Sequence, residues 1–218
     1  VGEPVRLVFV RHAESTANVA RSLDCAVPGP GLSPRGREQA AALAEGLSAD
    51  PFGDPFTDLA GSRLRAVLTS PMTRARDTAE PLASRLGLRP RVLAGLREAY
   101  LGDLNDRTDT EAHEAFDRVF RAWLLDGDLD VRRPGGESGA EVLKRFADAF
   151  DELVAAHPGD TAVVVGHGAA MRLGLSRLAA GVSRGYVHEH RLPNTGHVVV
   201  ELTDDGPVCV SWLGLRPG

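Results

Sequence analysis

The sequence predicts an α/β protein, a three-layer α/β/α sandwich around a mainly parallel sheet. Two runs, Leu7-Val8-Phe9-Val10 and Thr161-Ala162-Val163-Val164-Val165, are too continuously apolar for strands with one wet face, so both of their faces must be covered. Each run stops abruptly, the first on Arg11-His12 and the second on Gly166-His167-Gly168. Strand patterns alternate with helix patterns along the chain, as βα units do. With 218 residues there is enough chain for one large core, and a single domain spanning 1–218 is expected.

In order, the first strand ends on Arg11 and His12, and Glu14 to Arg21 starts a short helix. Asp24 to Gly31, rich in proline and glycine, reads as a loop. Ser33-Pro34 opens a helix to about Ser48, with serine as N-cap and proline at the first helical position. Asp50 to Gly61 reads as an irregular connection. Leu64 to Leu68 is a second strand, and Thr69-Ser70-Pro71 repeats the serine-proline opening for a helix ending near Leu86. Leu88 to Leu93 is a third strand, placed at an edge by Pro90.

From Leu96 to Gly135 the pattern is weakest. Glu111 to Leu125 has helical spacing in Phe116, Val119, Phe120 and Trp123, which assigns those side chains to the core, and Gly127 to Gly136 is loop. A helix from Ser138 or Gly139 puts Val142, Leu143, Phe146, Phe150 and Leu153 on one face and ends at His157-Pro158-Gly159. Ser138 and Glu141 have capping-box spacing, so Glu137 and Ser138 read as a helix-start device. After the second apolar run a helix continues through Leu178. His197 to Leu202 and Pro207 to Trp212, joined by Asp204-Asp205-Gly206, form an antiparallel hairpin at the sheet edge.

Composition narrows the function. Lys and Arg total 25 against 30 Asp and Glu, a formal charge of -5 with both signs interleaved, which argues against nucleic acid or an anionic membrane as the partner. Cys25 and Cys209 lie far apart and form no spaced motif with histidine, against a disulfide framework or a thiolate zinc site. The first strand begins within a few residues of the start, which leaves no room for a signal peptide, and no apolar run reaches membrane-spanning length. A soluble cytoplasmic protein is the expectation.

Three strand ends carry candidate ligand-facing groups: Arg11 and His12, then Arg74 one turn into its helix, then His167 at the start of another. In a parallel sheet these ends share one side, where ligands bind. Two arginines, two histidines and helix N-termini around one point make an anion-seeking pocket, and phosphate fits it best.

Here the chain resembles the histidine phosphatase superfamily, the phosphoglycerate-mutase-like proteins, over nearly its whole length. Arg11-His12-Ala13-Glu14-Ser15 with Asn18 is similar to the R-H-G-E-S/T-x-x-N signature. Leu32-Ser33-Pro34-Arg35-Gly36-Arg37-Glu38-Gln39-Ala40 resembles the L-S/T-x-x-G-x-x-Q-A helix start. Ser70 through Ala79 resembles S-x-x-x-R-A-x-x-T-A, which makes Arg74 the counterpart of the second phosphate-binding arginine. Leu96-Arg97-Glu98 resembles the acid-bearing segment, Gly135-Gly136-Glu137-Ser138 the G-G-E-S turn and Gly166-His167-Gly168 the second histidine. Two departures stand out: Ala13 replaces the usual glycine, and Gly102-Asp103-Leu104-Asn105-Asp106 replaces G-x-W/L-E-G after the acid.

The resemblance implies a phosphomonoesterase acting on a small phosphorylated metabolite, without cofactor or metal. His12 is the nucleophile, Glu98 the general acid and base with a raised pKa, and His167 the second catalytic histidine. Arg11, Arg74, Asn18 and Gly168 hold the phosphate, and a segment of about 96–136 is an insertion that covers the substrate. Specificity is expected in Tyr100 to Gly135 and in the loop near Cys25, and the family allows a homodimer. Four alternatives stay open. A cofactor-dependent mutase would need an arginine pair for a carboxylate, and between Leu96 and Gly135 only Arg132-Arg133 is available, which reads as loop charge. The others are a phosphoprotein phosphatase, a non-catalytic phospho-binding module, and a metallohydrolase using His12, His167 and Glu98, whose cation the arginines would repel. His188-Glu189-His190 has the spacing of a metal tag but reads as a solvent-facing strand end or loop, and His113, His157 and His197 have no assigned role.

Overall fold

The computed structural model describes residues 5–48, 64–157 and 159–217; the connection expected at Asp50 to Gly61 lies outside them, as does Pro158. Among the described residues six strands form one sheet in the order β3-β2-β4-β1-β5-β6. Strands β1 (Arg6–Arg11), β2 (Leu64–Thr69), β3 (Arg91–Val92) and β4 (Thr161–Gly166) are parallel, while β5 (His197–Thr203) and β6 (Gly206–Trp212) form the antiparallel hairpin at one edge.

The apolar runs are buried on both faces, as their lack of alternation requires. Leu7 and Phe9 of β1 join one buried cluster, and Val8 and Val10 the other. Phe9 meets Phe146 and Phe150 of α5 (Gly139–Ala156), each at 6.1 Å between ring centroids. The first cluster also takes in α4 (Thr110–Arg121) and α6 (Gly168–Leu178). On the opposite face, Val8 and Val10 cluster with Ala44 of α2 (Pro34–Ser48) and with Ala75, Ala79 and Leu82 of α3 (Thr73–Arg85). Helices on both sides of a mostly parallel sheet give the expected three layers. Two short helices complete the chain, α1 (Thr16–Ala20) and α7 (Arg184–Glu189), the latter burying Val187 in the first cluster.

The third strand is shorter than its pattern suggests. The Leu88 N–H donates to the Ala83 carbonyl at the end of α3, and Pro90 has no N–H to give, so pairing with β2 begins only at Arg91. His188 and Glu189 lie in α7, a correction to the strand end or loop expected there; Ser183 caps that helix by accepting from the Tyr186 N–H. Among the described residues no helix is long and apolar enough to cross a membrane.

Register sets the site. Arg11 pairs opposite Gly166, and Thr69 opposite Val165, so β1, β4 and β2 end level and adjacent. The residues that follow them, His12, His167 and Ser70, therefore emerge together.

Candidate active site

The His12 N–H donates to the Gly166 carbonyl at 3.0 Å, carrying the parallel pairing one residue past the strands. The His12 side chain is buried, and its Nδ1 lies 2.7 Å from the Ala13 carbonyl. A carbonyl only accepts, so Nδ1 carries the proton and Nε2 presents a lone pair. Arg74 Nε donates to that Nε2 at 3.1 Å, which only the neutral ring permits. Burial, followed by the charges of Arg74 and Arg11, holds the His12 pKa well below the ordinary 6.5.

His167, the N-cap of α6, is fully buried with its ring centroid 5.1 Å from that of His12. Its Nε2 lies 2.6 Å from Ser70 Oγ, which also accepts from the Met72 N–H. Donation to Nε2 gives the Ser70 proton a partner and leaves the imidazole proton on Nδ1, a buried atom with no partner among the described residues. Burial first, then His12 and the neighbouring arginines, keeps this ring neutral too. Arg11 Nη1 donates to the Leu192 carbonyl at 2.6 Å, and its buried Nε is likewise without a partner.

A cavity of about 210 Å³ opens on this cluster, and six of the seven expected site residues line it: Arg11, His12, Asn18, Arg74, Glu98 and Gly168. His167 is not among the lining residues and packs beside the His12 ring. Asn18 Oδ1 accepts from the Ser15 N–H and from Asn194 Nδ2, both at 3.1 Å, which leaves its own Nδ2 without a partner among the described residues. Gly168 begins α6; a Cβ there would sit 3.5 Å from Arg11 Nε, an ordinary contact, so space does not demand glycine.

The loop after His12 is clamped by the motif at Leu32 to Ala40. Gln39 Oε1 accepts the Glu14 N–H at 2.8 Å, Ser33 Oγ donates to Glu14 Oε1 at 2.7 Å, and Thr78 Oγ1 accepts the Ala13 N–H at 3.0 Å. Ala13 has no positive φ, and its methyl packs with Leu32 and Ala40, so the loss of the usual glycine is absorbed.

Glu98 sits on the first turn of α6. Its Oε1 accepts from the N–H groups of Ala99 at 2.8 Å and Ala170 at 2.9 Å, and its Oε2 from that of Ala169 at 3.1 Å. Oε2, with one donor, is the freer oxygen. The loop carrying it is held by Arg145 of α5, which donates to the carbonyls of Gly95, Arg97 and Glu98. Arg145 also pairs with Glu137, whose carboxylate takes Arg97 Nη2 and the Tyr100 N–H as well. This corrects the reading of Glu137 as part of a helix start: the capping box is Ser138 with Glu141, and Glu137 anchors the acid-bearing loop. Burial opposes the Glu137 charge, but Arg145, Tyr100 and Arg97 hold its pKa below the usual range.

A profile of the histidine phosphatase superfamily (branch 1) matches residues 7–213. The chain belongs to that superfamily. It is 30% identical over its whole length to the PE-PGRS family protein PE_PGRS11 of Mycobacterium tuberculosis (strain ATCC 25618 / H37Rv), of which it covers 38%. It is also 30% identical to a metal-independent phosphoserine phosphatase of Arabidopsis thaliana, covering 96% of this chain and 82% of that one. The chain spans 38 to 53% of the length of the first curated relatives it matches. A solved mycobacterial glucosyl-3-phosphoglycerate phosphatase complexed with VO3 superposes with a TM-score of 0.74 at 26% identity, over 98% of this chain and 99% of that one.

This member of the superfamily has site residues to which sequence patterns gave no role. Ser70 is not the expected helix cap: α3 starts at Thr73 with Met72 at its N-cap, because the serine hydroxyl is engaged with His167. Asp24 Oδ2 takes Arg74 Nη1 at 2.6 Å, and its carbonyl takes Nη2 at 3.0 Å. Burial raises the Asp24 pKa despite that pairing. Asn194 Nδ2 bridges the His12 carbonyl and Asn18 Oδ1. Phe116, assigned to the core by its helical spacing, lines the cavity with Leu101. Ser70 carried a cap signal and the first place in the motif that runs to Ala79, with no role assigned to it there; Asp24 carried only a loop signal, and Asn194 none. Among the described residues no group of three or more His, Cys, Asp or Glu is placed to hold a metal ion, so His12, His167 and Glu98 do not form the ligand set of the metal-dependent alternative.

Proposed function

We propose that this histidine phosphatase hydrolyses the monoester of a small phosphorylated metabolite through a phosphohistidine on His12 Nε2. One observation carries the reading: a neutral His12 with its proton pinned on Nδ1 stands beside the buried Arg74 and the half-buried Arg11, next to the donors Arg11 Nε and His167 Nδ1, which have no partner among the described residues. A phosphoryl group satisfies those donors. The names of the phosphatase relatives agree with it, and a cavity of about 210 Å³ suits a small substrate.

In the first step the Nε2 lone pair attacks phosphorus, the bond from phosphorus to the ester oxygen breaks, and Glu98 gives that oxygen its proton. Arg74 Nε moves its hydrogen bond from Nε2 to a phosphoryl oxygen, and with Arg11, His167, Asn18 and the Gly168 N–H it stabilises charge on the equatorial oxygens. In the second step a water gives a proton to Glu98 and attacks phosphorus, and the bond to Nε2 breaks, releasing phosphate. The segment 96–136, which supplies Glu98, Leu101 and Phe116, covers the bound substrate.

Rapid-quench assay with labelled substrate tests this. A labelled, acid-labile and base-stable phosphoenzyme is expected, followed by one inorganic phosphate per ester cleaved, with the rate unaltered by exhaustive EDTA. Activity lost on chelation and restored by zinc overturns the metal-free reading. Return of the label to a second hydroxyl of the substrate in place of free phosphate identifies a mutase.

A further inference from the structure

Beyond the phosphoryl end, the cavity wall carries two arginines that the reaction at phosphorus does not use, Arg172 and Arg191. Arg172 lies on α6 and is 6% exposed, yet no carboxylate stands within ion-pair distance of it among the described residues. Its Nε and Nη2 donate to the Val187 carbonyl at 3.1 and 3.0 Å, Nη2 also to the His188 carbonyl at 3.2 Å, and its guanidinium lies 4.6 Å from the centre of the Phe120 ring. Nη1 has no hydrogen bond among the described residues. Burial pulls the Arg172 pKa down to about 10, with Arg191 the next cause; Glu98 and Asp117 oppose the shift, and Arg11 adds to it. Among the described residues Arg191 reaches only Asp117, at 3.3 Å, in an exposed pair of the kind that contributes little. A buried cation held by neutral carbonyls and a ring face, with a second cation beside it, is a poorly compensated arrangement that an anion improves.

The spacing indicates which anion. Arg172 is four residues from Gly168 on the same helix and so on the same face, about 6 Å along the axis. That is the reach of a substrate with two or three carbons between its phosphate ester and a second charge. The planar fork of arginine matches a carboxylate, and two arginines can share one.

Resting on the phosphomonoesterase reading, we propose that Arg172 and Arg191 form a carboxylate subsite, and that the substrate is the phosphate ester of a short hydroxy acid. The arginine pair sought between Leu96 and Gly135 is thus supplied from α6 and from the segment after α7. There Arg133 is taken up by Asp103 and Arg132 by Glu141.

The test compares kcat/KM for 3-phosphoglycerate with that for glycerol 3-phosphate, which has a hydroxymethyl group in place of the carboxylate. The wild-type chain is expected to favour the acid by about 10- to 100-fold, the worth of a charge-assisted bond. In Arg191→Glu that preference should collapse, mainly through KM, and phosphoethanolamine should gain on 3-phosphoglycerate because the rim charge is reversed. Arg191 is exposed, so this variant is expected to fold; Arg172→Lys, which keeps the charge and loses the fork, should lower the ratio less. If p-nitrophenyl phosphate turns over through a phosphohistidine but the two glycerol derivatives are hydrolysed equally well, the subsite is wrong and the phosphatase reading stands. A preference for a bisphosphate over 3-phosphoglycerate assigns the pair to a second phosphate and overturns the carboxylate. Absence of any phosphoenzyme removes both proposals together.

Discussion

The two ring nitrogens of His12 divide the work: Nδ1 is tied to the Ala13 carbonyl, and Nε2 keeps the lone pair. No other described side chain offers a nucleophile so placed, so His12→Ala should lose turnover and phosphoenzyme labelling together; acid-labile labelling surviving in that variant sinks the assignment. Glu98 is a more demanding case, because three backbone donors hold its carboxylate. If it protonates the leaving oxygen, Glu98→Gln should slow alkyl phosphate cleavage by roughly two to four orders of magnitude. An aryl phosphate departs without that proton, so phosphorylation should stay fast while the water step fails, giving a burst in rapid-quench records. Circular dichroism must accompany the assay, since an amide on Oε2 would face the Ala169 N–H with a donor. Equal slowing of phosphorylation by both substrates excludes Glu98 as the acid.

At the level of elements, the start of α2 is what keeps the loop after β1 in place. A Cβ on Gly36 would lie 1.9 Å from the Glu14 carbonyl oxygen, a backbone atom that cannot swing aside. Gly36→Ala should therefore destabilise the chain by about 3 kcal/mol and displace Glu14, two residues after His12, measurable as a lower denaturant midpoint with reduced kcat. Gly168→Ala is the contrast: its Cβ meets only ordinary contacts, so the midpoint should change little. The two glycines look alike in the sequence. What separates them is a close approach between elements far apart in the chain, which no local pattern records. The same applies to Glu137, whose neighbour Ser138 does cap α5 while Glu137 itself turns to Arg145 and Tyr100.

For the whole molecule, burying two neutral histidines couples folding to pH. In the unfolded chain both titrate near 6.5, and in the folded chain well below it. Below 6.5 the unfolded state thus binds more protons, and stability rises with pH through that window. Descending from it, each histidine removes up to about 1.4 kcal/mol per pH unit until its folded pKa is reached. Urea midpoints should fall more steeply toward about pH 5 in the native chain than in a His12→Asn, His167→Asn double variant, while carboxylates contribute equally to both. Parallel slopes would show that the two rings are not held neutral by the fold.

The sequence alone determined the layers and the strand ends, because apolar runs without alternation, helix-start signals and abrupt polar stops are local properties of the chain; of the residues lining the cavity it named Arg11, His12 and Arg74 from that pattern, and Asn18, Glu98 and Gly168 through the family resemblance. It placed Arg11, His12 and Arg74 on one side of the sheet, and the hairpin at its edge. Only the tertiary structure decided what those groups touch. Ser70 left its cap position for His167, Asp24 came across a loop onto Arg74, Phe116 packs on the core and also lines the cavity, and Arg172 and Arg191 reached the cavity wall from segments that carried no signal of a site. Such contacts are set by register and packing between distant elements, and hydrogen bonds across a fold leave no periodicity in the chain that makes them.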